Sequence, residues 1–302
     1  MTDISFNSRL SHRSRSSGRS ALLLATALCS VLAFSGCAST GTTPKGATSA
    51  ASDANSSMNV AALREAAISS TKTQDYVAAA AYWGSLYDTN PNDTEAALSY
   101  SKALRQIGSV AQALTVMQRT KQAGGQDNPE VLAEFGKALA AGGQPDQAQA
   151  NLARANQLKP GDWTVLSAEG VALDQLGRYK EAQALYGEAL KIEPGNPSVL
   201  TNLGLSYAIE GNLDDAETVL RKAVADSRAT ASARQNLAVV LGLKGNFDEA
   251  TRLARADLPV DVADGNIAYL REMLTQPALW KQMETLDGKT AQAKSTPDTS
   301  TR

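Results

Sequence analysis

Residues 163–196 read WTVLSAEGVALDQLGRYKEAQALYGEALKIEPGN. Gly177, the fifteenth residue of this stretch, can take the left-handed backbone conformation that ends one helix in a tight turn before the next. Gly170 and Ala182, at the eighth and twentieth positions, are small enough to let the two helices approach closely. Tyr186, at position 24, is large and apolar, as expected of a side chain that fills space toward the next unit. Pro194 stops the second helix, because proline donates no backbone hydrogen bond and clashes with the preceding turn. The stretch therefore predicts a helical hairpin with one apolar face that a single copy cannot bury.

Neighbouring copies supply the missing surface. Glycine recurs at Gly108, Gly143, Gly177, Gly211 and Gly245, at spacings of 35, 34, 34 and 34 residues. Five positions further on stands Ala113, Ala148, Ala182, Ala216 or Ala250, and an earlier copy has Ala79 in phase with Gln74 in the glycine slot. This period and the residues Leu166, Gly170, Gly177, Tyr179, Ala182, Tyr186, Ala189 and Pro194 resemble the tetratricopeptide (TPR) repeat. Six copies fit, at 60–93, 94–128, 129–162, 163–196, 197–230 and 231–263. The second carries one extra residue and Gly125 where others have proline, and the fifth has Arg228 there. Trp83, Met117, Leu152 and Leu220 share the slot of Tyr186, and Pro91 and Pro160 that of Pro194. The expected fold is all-α, a right-handed solenoid of about six hairpins. A capping helix is expected over 264–287, where Ile267, Leu270, Met273 and Leu274 share a face before Pro277, followed by Leu279, Trp280 and Met283. The tail 288–302 reads as disordered.

The other end of the chain is of a different kind. Arg9, Arg13, Arg15 and Arg19 precede the apolar run ALLLATALCSVLAF at 21–34. Fourteen residues are too few to span a membrane, which takes about 20, but they suit the apolar core of a secretory signal over 1–36. The following FSGC resembles a lipobox, with Phe34 where leucine is usual. That resemblance implies cleavage before Cys37 and attachment of diacylglycerol and an N-acyl chain to its thiol and new N-terminus; an ordinary signal peptide is the alternative. Residues 37–59, rich in Ser, Thr, Ala and Gly, read as the lipidated cysteine and a flexible tether.

Cleavage there would remove Cys29 and His12, the other cysteine and the single histidine. The remainder excludes Ser-His-Asp and Cys-His catalysis, His or Cys zinc sites and any disulfide. No catalytic residue set, metal or cofactor is expected. Losing four Arg and one Asp leaves 25 basic and 30 acidic residues, a net charge of about −5 and a poor match to nucleic acid. Asp214–Asp215 and Asp248–Glu249 fall at helix starts, where carboxylates favour the positive dipole end. GNLDDA and GNFDEA are repeat turns without the lysine of a phosphate loop.

Binding is the remaining class of function. Asn202 and Asn236 hold the sixth position of successive repeats, where TPR proteins often use asparagine to contact the backbone of an extended peptide. With Arg234, Gln235, Thr201, Asp174 and Lys137 they are candidates to line a concave groove. The alternative is that these asparagines are satisfied within the array. Residues 234–276, RQNLAVVLGLKGNFDEATRLARADLPVDVADGNIAYLREMLTQ, resemble the C-terminal part of the TadD family, TPR lipoproteins of the tight-adherence (Flp, type IVb) pilus system. The phrases around ADLP and NIAYLR are the specific part. The resemblance implies a protein-binding scaffold that assists assembly or localisation of the pilus secretin and has no family catalytic residues. Ala38, in place of aspartate after the cysteine, implies the periplasmic face of the outer membrane. The alternatives are another TPR envelope-assembly lipoprotein, such as a type IVa pilotin or an outer-membrane assembly subunit, and a TPR-framed cell-wall enzyme.

Overall fold

The computed structural model describes residues 47–275, with side chains from 59 onward. The leader, Cys37, the tail 288–302 and the latter part of the 264–287 segment lie outside these residues. Thirteen α-helices and no strand are present among the described residues. They run α1 (Ala47–Lys72), α2 (Tyr76–Thr89), α3 (Thr94–Gln106), α4 (Val110–Thr120), α5 (Pro129–Ala141), α6 (Pro145–Leu158), α7 (Trp163–Gln175), α8 (Tyr179–Ile192), α9 (Pro197–Glu210), α10 (Leu213–Ala225), α11 (Ala231–Leu243), α12 (Phe247–Ala254) and α13 (Val260–Thr275).

Local chemistry sets the helix ends. Asp75, Asp93, Asn128, Asp162, Asn196 and Asn212 each accept a backbone N–H of the first turn they precede, which satisfies donors the helix leaves open. Pro129, Pro145 and Pro197 occupy first helical positions, where their missing N–H costs nothing. The five turn glycines have φ between 70° and 94°, and Gln74 holds the same slot in the first hairpin at φ 61°. Left-handed backbone costs a side-chain-bearing residue about 1–2 kcal/mol, so the turn is demanded by the packing of α1 on α2 and not by local preference.

Three boundaries differ from the sequence expectation. The extra residue of the second repeat is absorbed by a π-helical segment, Lys121–Gly125, in which Gly124 at φ 122° makes the kink. Helix α1 begins at Ala47, so residues 47–59 are helical and not a flexible tether. The terminal helix α13 begins at Val260, ahead of the expected 264, because α12 has 8 residues against 13 or 14 in α6, α8 and α10.

In the third, fourth and fifth hairpins, position 24 packs on position eight. A Cβ on Gly136 would stand 2.5 Å from Leu152, on Gly170 2.6 Å from Tyr186, and on Gly204 2.6 Å from Leu220. These large side chains therefore close onto the first helix of their own repeat, as well as filling space toward the next. Trp83, Met117, Leu152, Tyr186 and Leu220 are all buried. Successive first helices also touch one another, α3 on α5, α5 on α7, α7 on α9, α9 on α11 and α11 on α13, whereas second helices make no comparable contact. The array therefore curves with its first helices on the inner side.

Candidate concave groove

The inner face is built from the second, fifth, sixth, ninth and twelfth positions of each first helix. At repeats two and three it forms a cleft of about 230 Å³, lined by Leu98, Lys102, Ala133 and Lys137 with Glu130, Glu134 and Asp162 around them. Each of these acids is already engaged. Glu134 receives two hydrogen bonds from Arg105, at 2.8 and 2.9 Å, and one from Ser101 at 2.9 Å. Glu130 receives Lys159 at 2.7 Å, and Asp162 caps α7.

Lys137 donates to the Thr164 hydroxyl at 2.8 Å and makes no ion pair. Burial, the largest influence on its ammonium, holds its pKa below the usual lysine value although Glu134 and Asp162 favour the charge. Lys102 stands on the neighbouring helix in the same ninth position, exposed, with no hydrogen-bond partner among the described residues. The periodicity that singled out Asn202 and Asn236 also finds this pair, since Lys102 and Lys137 are 35 residues apart across the one-residue insertion.

Further along, Asn202 donates to the Ser167 hydroxyl at 3.1 Å across the junction of repeats four and five. Asn236 is 6% exposed, yet its amide has no hydrogen-bond partner among the described residues. Its polar atoms still reach solvent at the inner face, so the amide is open to a ligand backbone.

The other candidates are held by the array itself. The Thr201 hydroxyl donates to the Pro197 carbonyl at 2.7 Å and is buried. Arg234 forms a two-point ion pair with Asp257, at 2.5 and 2.7 Å, tying α11 to the link between α12 and α13. Gln235 reaches the Ala254 carbonyl at 3.5 Å. Asp174 accepts the Tyr186 hydroxyl at 2.8 Å and the Ser206 hydroxyl at 2.6 Å, and burial raises its carboxyl to about 6. Of the residues singled out in the sequence, the structure leaves Lys137, Asn202 and Asn236 with polar capacity to spare on the inner face.

The acidic pairs have structural partners. Asp214 and Asp215 lie in the first turn of α10, and Asp248 and Glu249 in that of α12. Lys244 pairs with Asp214 and Glu217, and Arg221 with Glu217 and Glu249, so these charges lace repeats five and six together. Among the described residues, no group of His, Cys, Asp or Glu is arranged to hold a metal ion, and no helix is long and apolar enough to cross a membrane.

Sequence models of the tetratricopeptide repeat match residues 51–128, 138–203, 175–228 and 230–259, well over half of the chain. The chain belongs to the tetratricopeptide-repeat family. Its TPR array is similar to the crystal structure of PilW, described as a widely conserved type IV pilus biogenesis factor. That likeness is at 17% identity and TM-score 0.55, covering 72% of this chain and 98% of PilW. It is also similar to TTC0263, a thermophilic TPR protein of Thermus thermophilus, at 23% identity and TM-score 0.52, covering 60% of this chain and 99% of that one. Both likenesses describe the TPR fold. No curated protein sequence matches the chain.

Proposed function

We propose that this protein is a lipid-anchored TPR scaffold that holds an extended segment of a protein partner along its inner face in the bacterial envelope. The observation that carries the binding site is Asn236, a residue 6% exposed on the inner face whose amide makes no hydrogen bond to the described residues and stays open to a ligand. Asn202, one repeat earlier, and Lys102 and Lys137 continue a polar track along the same face. A preformed track of this kind lowers the ordering cost of capturing a flexible segment.

The envelope location rests on FSGC and on acylation of Cys37, which would confine the scaffold to the periplasmic face of the outer membrane. The pilus role, assisting assembly or localisation of the Flp/Tad secretin, rests on the resemblance of the ADLP and NIAYLR phrases to the TadD family. Those phrases contain Asp257, the partner of Arg234, and the middle of α13. PilW is a type IV pilus factor by its description, and its similarity adds the shared fold only.

Two measurements test this reading. Deleting the gene should lower secretin multimers and surface Flp pili; normal levels of both would reject the pilus role. The double variant Asn202→Ala/Asn236→Ala should keep its helical circular dichroism and a cooperative melt, with some loss of stability from the Asn202–Ser167 hydrogen bond. It should recover less of its cross-linked envelope partner than an equally destabilised variant outside the inner face. Full recovery would remove these asparagines from the binding site.

A further inference from the structure

Helix α13 stands in the row of first helices, because it packs on α11 and α12 as α11 packs on α9 and α10. Two observations fix its register. Ala263 is buried, as are Val131, Val165, Val199 and Ala233 at the third position of earlier first helices. Leu270 presses on Gly242 of α11 so closely that a Cβ on the glycine would collide with it. That contact joins the twelfth position of one first helix to the tenth of the next, as the Asp174–Ser206 hydrogen bond does between α7 and α9.

In this register the sixth position of α13 is Asn266 and the ninth is Tyr269. Asn266 is exposed, with no hydrogen-bond partner among the described residues, and Tyr269 is 48% exposed. Asn266 continues the row of Asn202 and Asn236, at a step of 30 residues where the earlier step is 34. The step shortens because α12 has only 8 residues, so the period of the sequence passes over this third asparagine. Tyr269 continues a second row, formed by the half-buried Leu205 and Val239. The ninth position thus changes along the solenoid, from Lys102 and Lys137 on α3 and α5 to apolar side chains on α9, α11 and α13. Charges beside this strip are engaged, Arg234 by Asp257 and Asp264 by Arg255, and Glu272 is not free either.

We propose that α13 forms the last wall of the groove, with Asn266 and Tyr269 as further partner-binding residues. The segment held across α9, α11 and α13 is then an uncharged polyproline II stretch with an apolar side chain at every third position. This rests on the inner face being the binding surface. First helices packed side by side stand about 8–10 Å apart. One turn of polyproline II covers about 9 Å in three residues and leaves its backbone groups without internal hydrogen bonds. Each turn therefore brings one backbone group to an asparagine and one side chain to Leu205, Val239 or Tyr269. A charged side chain at that place would lose its water without gaining a counter-charge.

Fluorescence anisotropy of labelled, capped peptides with the purified full chain tests this. A serine–proline peptide with leucine at every third position should bind. A peptide of the same composition with its leucines adjacent, and one with aspartate for each leucine, should bind about tenfold more weakly. Asn266→Ala/Tyr269→Ala should weaken the leucine peptide about tenfold with an unchanged melt, since both side chains are exposed. Ala268→Ser, on the side of α13 that faces the α12 cleft, should leave binding unchanged. Binding weakened by Asn202→Ala/Asn236→Ala but not by Asn266→Ala/Tyr269→Ala would overturn the proposal and leave the groove standing. Equal binding of the three peptides, or binding of none, would overturn the segment proposed, and recovery of the cross-linked partner decides the groove separately.

Discussion

Tyr186 roofs Gly170 so closely that a Cβ on the glycine would lie 2.6 Å from the tyrosine ring. The two residues belong to the paired helices of one repeat, α7 and α8, and Tyr186 is fully buried between them. The separation of the helices is therefore set by an absent methyl group and a full-size ring, and the same relation recurs with Gly136–Leu152 and Gly204–Leu220.

Gly170→Ala should accordingly destabilise the array. Overpacking costs about 1–3 kcal/mol, and the better helix propensity of alanine returns about 1 kcal/mol. A net loss of up to about 2 kcal/mol is expected in urea unfolding. Gly187, on α8 with nothing within 4 Å of its missing Cβ, is the control. Gly187→Ala should stabilise by about 0.5–1 kcal/mol. Equal effects at the two sites would reject the close-packing account.

The far end of Tyr186 predicts a pH effect. Burial holds the Asp174 carboxyl near 6, above the ordinary 3.8, so the folded state binds more protons than the unfolded chain between about pH 4 and 6. Stability from this group is present below that window and lost as pH rises through it. Asparagine at 174 can still accept from Tyr186 and donate to Ser206, without a charge. The melting temperature of Asp174→Asn minus that of wild type should increase from pH 4 to 7 and level off above. Glu217 and Asp257, held low chiefly by hydrogen bonds from Lys244 and Arg234, act in the opposite sense at lower pH and cancel in the difference. A constant difference would show that Asp174 titrates normally.

Arg105 and Glu134 form a buried pair that joins repeats two and three beneath the groove. Arg105→Met strands the carboxylate and should cost about 3–5 kcal/mol. Replacing both, with Arg105→Met/Glu134→Leu, should recover most of that loss, because two desolvated charges leave together. Denaturant midpoints of the two single variants and the double variant measure the coupling; additive losses would contradict it.

Cys37→Ser follows from the FSGC stretch. The variant should remain unlipidated, and metabolic labelling with a palmitate analogue should vanish with it. The protein should leave the outer-membrane fraction. A variant that still sediments with the outer membrane would reject the anchor.

The repeat architecture was legible because each hairpin solves the same local problem with the same residues. A left-handed turn wants glycine, a close crossing wants a small side chain, and a helix stop wants proline. All three leave marks at a period of 34. Even Gln74, which breaks the pattern, was in phase, and its φ of 61° shows the fold imposing the turn on a residue that does not favour it. Boundaries were less legible at Lys121–Gly125 and at α12, where an insertion and a shortened helix are absorbed by packing and not announced by composition.

The groove divided along another line. Periodicity by itself determined which residues share the inner face of successive first helices, since helical phase is a property of spacing. Whether a polar side chain there is free depended on groups remote in the sequence. Asp174 is taken by Ser206, 32 residues on, and Arg234 by Asp257, 23 residues on, whereas the Asn236 amide makes no hydrogen bond to the described residues. A hydrogen bond requires its partner within about 3 Å, and for these residues only the stacking of one repeat on the next brings partners that close.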